Sequence, residues 1–94
     1  RMLFDANPNP MYVYDVDTLE LLAVNETLLA GYGYAAAAEL IGRPVLTLHV
    51  EIEREAVRQV ISRLAGSGGN QYKRRWLHRH KDGSAIPVEI FSQP

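Results

Sequence analysis

The sequence contains no cysteine, and this one absence removes disulfide cross-links, thiolate metal ligation, a cysteine nucleophile and any cofactor held through a cysteine adduct. A reducing, cytoplasmic setting agrees with it. No apolar run approaches the ~18 residues of a membrane span, and the start RMLFDANPNP lacks the apolar core of a secretory signal. Membrane insertion by this segment is therefore not expected. Net charge is nearly absent too, at −1, so nothing draws the chain as a whole to nucleic acid or to anionic lipid. Ser62, Ser67, Ser84 and Ser92 have no neighbouring base or oxyanion pattern that would make a nucleophile. The chain does not read as an enzyme.

What is present is enough for one small domain. A chain of 94 residues buries only about 60 to 65% of its extended surface, so every element of its core counts. Residues 1–7 suit the end of a helix, with Met2, Leu3 and Phe4 as its apolar residues, and Pro8 and Pro10 then force an extended path. Residues 11–15 and 21–24 read as a strand pair joined by a turn rich in Asp and Thr. Asn25 is a good N-cap for a short helix carrying Leu28, Leu29 and Tyr32, which Gly31 and Gly33 end. The alanines of 35–39 lack a capping residue and predict one or two loose turns. Residues 45–50 read as an extended connection holding His49. In 51–65 the spacing of Val57, Val60, Ile61 and Leu64 predicts the main helix, with glutamates in its first turn and Gly66 after its end. Residues 67–70 read as a flexible loop.

The last stretch, QYKRRWLHRHKDGSAIPVEIFSQ at 71–93, holds two β-prone runs around Asp82-Gly83. A two-residue loop of type I′ needs positive φ at both central residues, and Asp-Gly is among its favoured pairs. That loop predicts Arg79 opposite Ile86, Leu77 opposite Val88 and Arg75 opposite Ile90 on the core face. His80, His78, Trp76 and Arg74 then lie on the other face. A slip of one residue would reverse this choice.

In order along the chain stand NPNPMYVYD at 7–15, VN at 24–25, GY at 33–34, ELIGR at 39–43, an amphipathic helix ending in glycine, and RHKDGSAIPVEI at 79–90. This ordered set resembles a PAS domain, the sensory box of bacterial signalling proteins, over nearly the whole chain. The resemblance implies an α+β fold with an antiparallel sheet of order 2-1-5-4-3 and helices on one face. It also implies that the fifth strand is missing from this chain, so that residues 1–94 are a single PAS-like domain within a longer multidomain protein. The implied role is signal transduction, by binding a small ligand in the core, by dimerising, or both, to regulate a linked effector such as a histidine kinase of a two-component system or a diguanylate cyclase. A ligand-free dimerisation module is the alternative. A homodimer, a linked effector or a neighbouring PAS domain are the implied partners.

The inward residues that would line a ligand cavity are Leu29, Ile41, Val57, Ile61, Arg75, Leu77, Val88 and Ile90, with Val13 and Leu28 beside them; plain core is the competing reading. Arg75 would bring a guanidinium towards a carboxylate or phosphate ligand, or reach out to water. Tyr72, Trp76 and Phe91 form an aromatic patch on the outer sheet face and are the expected interface. The resemblance implies that a haem would be held by a histidine of the main helix and an adduct-forming flavin by a cysteine; residues 51–65 contain no histidine and the chain no cysteine, so both are disfavoured. Flavin without an adduct, or an unknown small molecule, stays open. His78 and His80 with Glu89 could touch one ion, but a solvated pair is the default, and no metal site is expected.

Overall fold

The computed structural model describes residues 2–66 and 72–92. The loop expected at 67–70 and the side chain of Tyr72 lie outside the described residues. Helix α1 (Met2–Ala6) leads into strands β1 (Tyr12–Tyr14) and β2 (Leu21–Val24), followed by helix α2 (Glu26–Tyr32). Three 3-10 turns, Ala37–Glu39, Val45–Leu48 and Glu51–Glu53, come before helix α3 (Arg54–Ala65), and the long strands β3 (Tyr72–Arg79) and β4 (Ala85–Ser92) close the order. β1 pairs antiparallel with β2 across a bulge, and β3 with β4, as two separate two-stranded sheets. The architecture is α+β, as expected.

Local chemistry explains most boundaries. Asp15 Oδ1 accepts from the amides of Asp17 and Thr18 at 2.8 and 3.0 Å, which folds the β1–β2 turn and holds the Asp15 carboxyl below its usual range. Asn25 caps α2 through Leu28 N at 3.0 Å, and Gly33 ends that helix at φ +83°. The alanine-rich turn does have a cap, supplied from the wrong side of the expected position: Glu39 reaches back to the amides of Ala35 and Ala36 at 2.7 and 3.2 Å. Residues 45–48 are a 3-10 turn rather than extended, because Pro44 fixes the turn's entry and the amides of Thr47 and His49 bond back to Pro44 and Leu46. The main helix keeps its expected C-terminus, but its first turn is 3-10, with Glu53 bonded elsewhere.

The β3–β4 register corrects the sequence reading. Arg79 pairs with Ala85, Trp76 with Val88 and Arg75 with Glu89, one residue away from the expected pairing. The loop has three residues, because His80 N bonds Ser84 O and Gly83 N bonds His80 O, each at 2.9 Å. Only Gly83 takes positive φ, at +95°, and Asp82 does not, so the turn is not type I′. Asp82 instead accepts from the amide and hydroxyl of Ser84 at 2.8 and 2.7 Å. With a period of two, this slip turns β3 over while β4 keeps its faces.

The core therefore differs from the expected one along β3. Trp76 is 8% exposed and packs with Leu21, Leu28, Val45, Leu48, Val57 and Ile61, so it cannot serve the outer-face patch assigned to it. Arg75 points outwards with 89% of its side chain exposed, near Glu89 at 3.9 Å, and Leu77 shares that outer face, half-buried. Val13 and Ile41 are exposed rather than inward. Leu28, Leu29, Val57 and Ile61 are buried as expected, and Val88 and Ile90 are half-buried against the core. Phe91 stays outside, 73% exposed.

Candidate functional site

Turning β3 over carries His78 into the core, where it is 1% exposed. His49, 2% exposed, ends the Val45–Leu48 turn and forms an isolated antiparallel bridge with His78. The turn is fixed from both sides: Val50 N donates to Leu77 O at 3.1 Å, Leu77 N donates to Glu53 Oε1 at 2.7 Å, and Arg54 Nε donates to the carbonyls of Leu46 and His49 at 3.0 and 3.2 Å. These bonds also satisfy β3 at its outer edge. The two imidazoles consequently meet edge to face, with centroids 4.4 Å apart and planes at 89°. Trp76 lies edge-on to His49 at 5.8 Å, and Tyr12 lies 5.9 Å from His78.

Tyr32, from the last turn of α2, hydrogen-bonds through its hydroxyl to His78 Nδ1. The hairpin turn grips the same helix end: Lys81 N donates to Tyr32 O at 2.9 Å, and the His80 ring covers Gly33 so closely that a Cβ there would stand 2.3 Å from His80 Cε1. Lys81 adds an ion pair to Glu39 and stands over the Tyr34 ring. A single residue, His78, thus touches α2 through Tyr32, the 45–48 turn through His49, and β1 through Tyr12.

Electrostatics keep this cluster neutral. Burial lowers His78 to about 3, with the neighbouring His49 adding to the effect, and burial with the Arg54 charge lowers His49 to about 4. Burial likewise holds the Tyr12 and Tyr32 phenols protonated beyond their usual range. His49 Nδ1 and His78 Nε2 are buried without a hydrogen-bond partner. Beside His49 lies a cavity of about 20 Å3, lined among others by Tyr12, Tyr14, Val57, Ile61, Trp76 and Ile90. It takes one or two heavy atoms, far short of a haem or a flavin. Tyr12 and Tyr14 of β1 and Ile90 and Ser92 of β4 line the same cavity, so the two sheets meet around it.

Of the expected cavity residues, Val57, Ile61 and Ile90 line this space, while Leu29 and Ile41 border a separate open groove with Phe4, Leu22 and Ala35 to Ala37. Arg75 and Leu77 take no part. The His78, His80 and Glu89 grouping is not formed, since His78 faces inwards and Glu89 faces outwards with Lys73 and Arg75 at 3.8 and 3.9 Å. Among the described residues no group of three or more metal-ligating side chains stands together, and no helix is long and apolar enough to cross a membrane. The histidine pair escaped the sequence reading because both rings depend on turn geometry. The available signal was the alternation of His78 with Trp76, which puts imidazole and indole on one face whatever the register.

No family model matches the chain, and no curated protein does. Solved structures do match. A PAS domain of an HTR-like protein from Haloarcula marismortui is 28% identical, covering 96% of this chain and 75% of that one, at a TM-score of 0.81. A PAS domain of a protein from Colwellia psychrerythraea is 25% identical over 93% and 71%, also at 0.81. A domain of a sensory box sensor histidine kinase/response regulator from Geobacter sulfurreducens is 19% identical over 97% and 76%, again at 0.81.

Proposed function

We propose that this chain, which has the PAS fold, is the sensory module of a cytoplasmic signalling protein, with the buried Tyr32, His78 and His49 junction as its input. The observation that carries this reading is a neutral polar cluster with two unpartnered ring nitrogens where an ordinary core would be apolar. Whatever binds or alters that cluster acts on the β3–β4 hairpin, because His78 sits in β3 and the hairpin turn grips α2 through Lys81 and His80. A ligand shifts such a packing only by its differential affinity for two arrangements, so the output lies in how the hairpin meets a partner. Catalysis belongs to a linked effector, such as a histidine kinase or a diguanylate cyclase.

The small cavity and the exposed Phe91, set beside Pro87, Lys73 and Arg75 on the outer face, support a second reading as a ligand-free interaction module. Native mass spectrometry over a range of concentrations tests the pair of readings. A retained small molecule supports sensing, a bare dimer supports interaction, and a bare monomer at every concentration contradicts both.

A further inference from the structure

We infer that the open groove bordered by α1, β2, α2 and the Ala37–Glu39 turn is a docking site for an amphipathic helix of a partner protein, one that carries a lysine or arginine beside its apolar stripe. The groove shares no lining residue with the cavity beside His49, so the inference goes beyond the reading of the core and stands or falls separately from it. It measures about 630 Å3, and its large apolar walls are Phe4, Leu22, Leu29 and Ile41. Leu22 is 54% exposed and Ile41 41%, so the walls stand open to solvent. A small molecule is usually about 70 to 90% buried in its site, which walls of this kind do not provide. A helix laid along the groove covers Leu22 and Ile41 together with its own apolar side chains.

Shape and charge narrow the occupant. Ala23 and Ala35 to Ala37 also line the groove, and side chains this short let a second backbone come close. A strand has little edge to add to, because Leu21 N already donates to Arg43 O at 2.8 Å, Leu21 O accepts from Gly42 N at 2.9 Å, and Glu20 bridges Pro44. Helices α2 and α3 bury their own apolar stripes in the core, so neither of them, from a second copy, supplies the occupant. The two polar walls are both carboxylates, Asp5 and Glu26, and among the described residues no cationic side chain lines the groove. Phe4 O accepts from Asn25 Nδ2 at 2.9 Å, which brings the residues that follow them, Asp5 and Glu26, to the same end. A lysine or arginine of the partner placed there meets negative charge and sets the direction in which its helix runs.

Amide shifts of the 15N-labelled chain, titrated with a panel of synthetic helical peptides of about 14 residues, test this. All the peptides carry leucine at i, i+3, i+4 and i+7, and they differ in having lysine, glutamine or glutamate beside that stripe. The lysine peptide is expected to give saturable shifts at Leu22, Glu26, Ala36 and Ile41 and to bind roughly three- to tenfold more tightly than the glutamate peptide. Glu26→Lys, on the exposed first turn of α2, should reverse that order, and the milder Glu26→Gln should narrow the gap. No shift in the groove with any peptide up to about 1 mM, shifts confined to β3 and β4, or equal binding of the lysine and glutamate peptides overturns the proposal. Equal binding of a proline-interrupted lysine peptide, or of hexylamine alone, overturns it too, by making the groove a site for an extended segment or for a small amine. None of these outcomes depends on what the histidine junction holds.

Discussion

The two ends of α2 are both tied down by a buried polar side chain, and they are tied in opposite ways. At the N-terminal end Asn25, fully buried, spends its whole hydrogen-bonding capacity. Its Oδ1 accepts from Leu28 N and Met11 N at 3.0 and 2.9 Å, and its Nδ2 donates to the carbonyls of Phe4 and Asn9, both at 2.9 Å. At the C-terminal end Tyr32 meets His78 and, through it, His49, and two ring nitrogens are left over. A saturated knot fixes one geometry, whereas a cluster with spare capacity responds to whatever supplies the missing bonds. The difference separates a saturated anchor from a cluster with spare capacity within one seven-residue helix.

Acid should separate the ends most strongly. Unfolded histidine titrates near 6.5, while His49 and His78 in the folded chain do so at about 4 and about 3, so between these values the unfolded state binds more protons. Stability is therefore complete above about 6.5 and falls as the pH drops towards 4 and then 3, by up to about 1.4 kcal/mol per pH unit for each ring. Lowering the pH from about 7 to about 4.5 should remove roughly 3 to 5 kcal/mol in urea titrations, a large share of a typical total of about 5 to 15. The lowered carboxyls of Asp15, Glu39 and Asp82 act with the same sign in a lower window: their stabilisation is present above the unfolded values of 3.8 to 4.5 and fades below them. The slope above about 4.5 thus belongs to the imidazoles. A chain equally stable at about pH 7 and about pH 4.5 would show that the pair is not held neutral.

Asn25→Ala acts on the other end and needs no pH change. It removes an N-cap, about 0.5 to 2 kcal/mol, and leaves a part-buried amide at Met11 and the carbonyls of Phe4 and Asn9 without this partner. An expected loss of about 2 to 4 kcal/mol follows, with α1 released from α2 and its amide exchange accelerated. A loss below about 1 kcal/mol would mean that water replaces the side chain without cost and that the knot is no anchor.

The anchor was legible in the sequence and the histidine cluster was not, for a physical reason. Asn before an apolar stripe is a local signal, and the cap forms within three residues of it. The same locality let Val57, Val60 and Ile61 mark the buried face of α3. The faces of β3, by contrast, follow from whether the hairpin turns over two residues or three. Lys81, Asp82 and Gly83 admit both, and the choice is made by contacts distant in sequence, Lys81 N on Tyr32 O and the His80 ring on Gly33. One residue of register moved Trp76 and His78 inwards and Arg75 and Leu77 outwards. His49 was hidden similarly, in a stretch whose 3-10 turn depends on Pro44 and on the bonds of Arg54. PAS-like order along the chain survived the error, because it rests on where strands and helices fall and not on which way their side chains point.

The smallest expected effect is also the sharpest contrast between the two ends. Replacing Tyr32 and His78 together, as Tyr32→Phe with His78→Leu, removes both members of the hydroxyl-to-Nδ1 bond and leaves neither one orphaned. Exchanging two bonded polar groups for apolar ones of similar size is close to neutral, because the lost bond is offset by the desolvation no longer required. His78 also brings an unpartnered Nε2 into the core, and that liability goes with it. The cost at neutral pH should be about 1 kcal/mol or less, measured by urea denaturation, even though both residues are as deeply buried as Asn25 or nearly so. The acid slope should fall to that of His49 alone, close to half. Two buried polar sites would then differ as the geometry requires, one costly to remove and insensitive to pH, the other cheap to remove and the source of the pH dependence. A loss of about 3 kcal/mol in the double variant would instead make the Tyr32 and His78 pair a second structural anchor, and the case for an input at this end of α2 would fail.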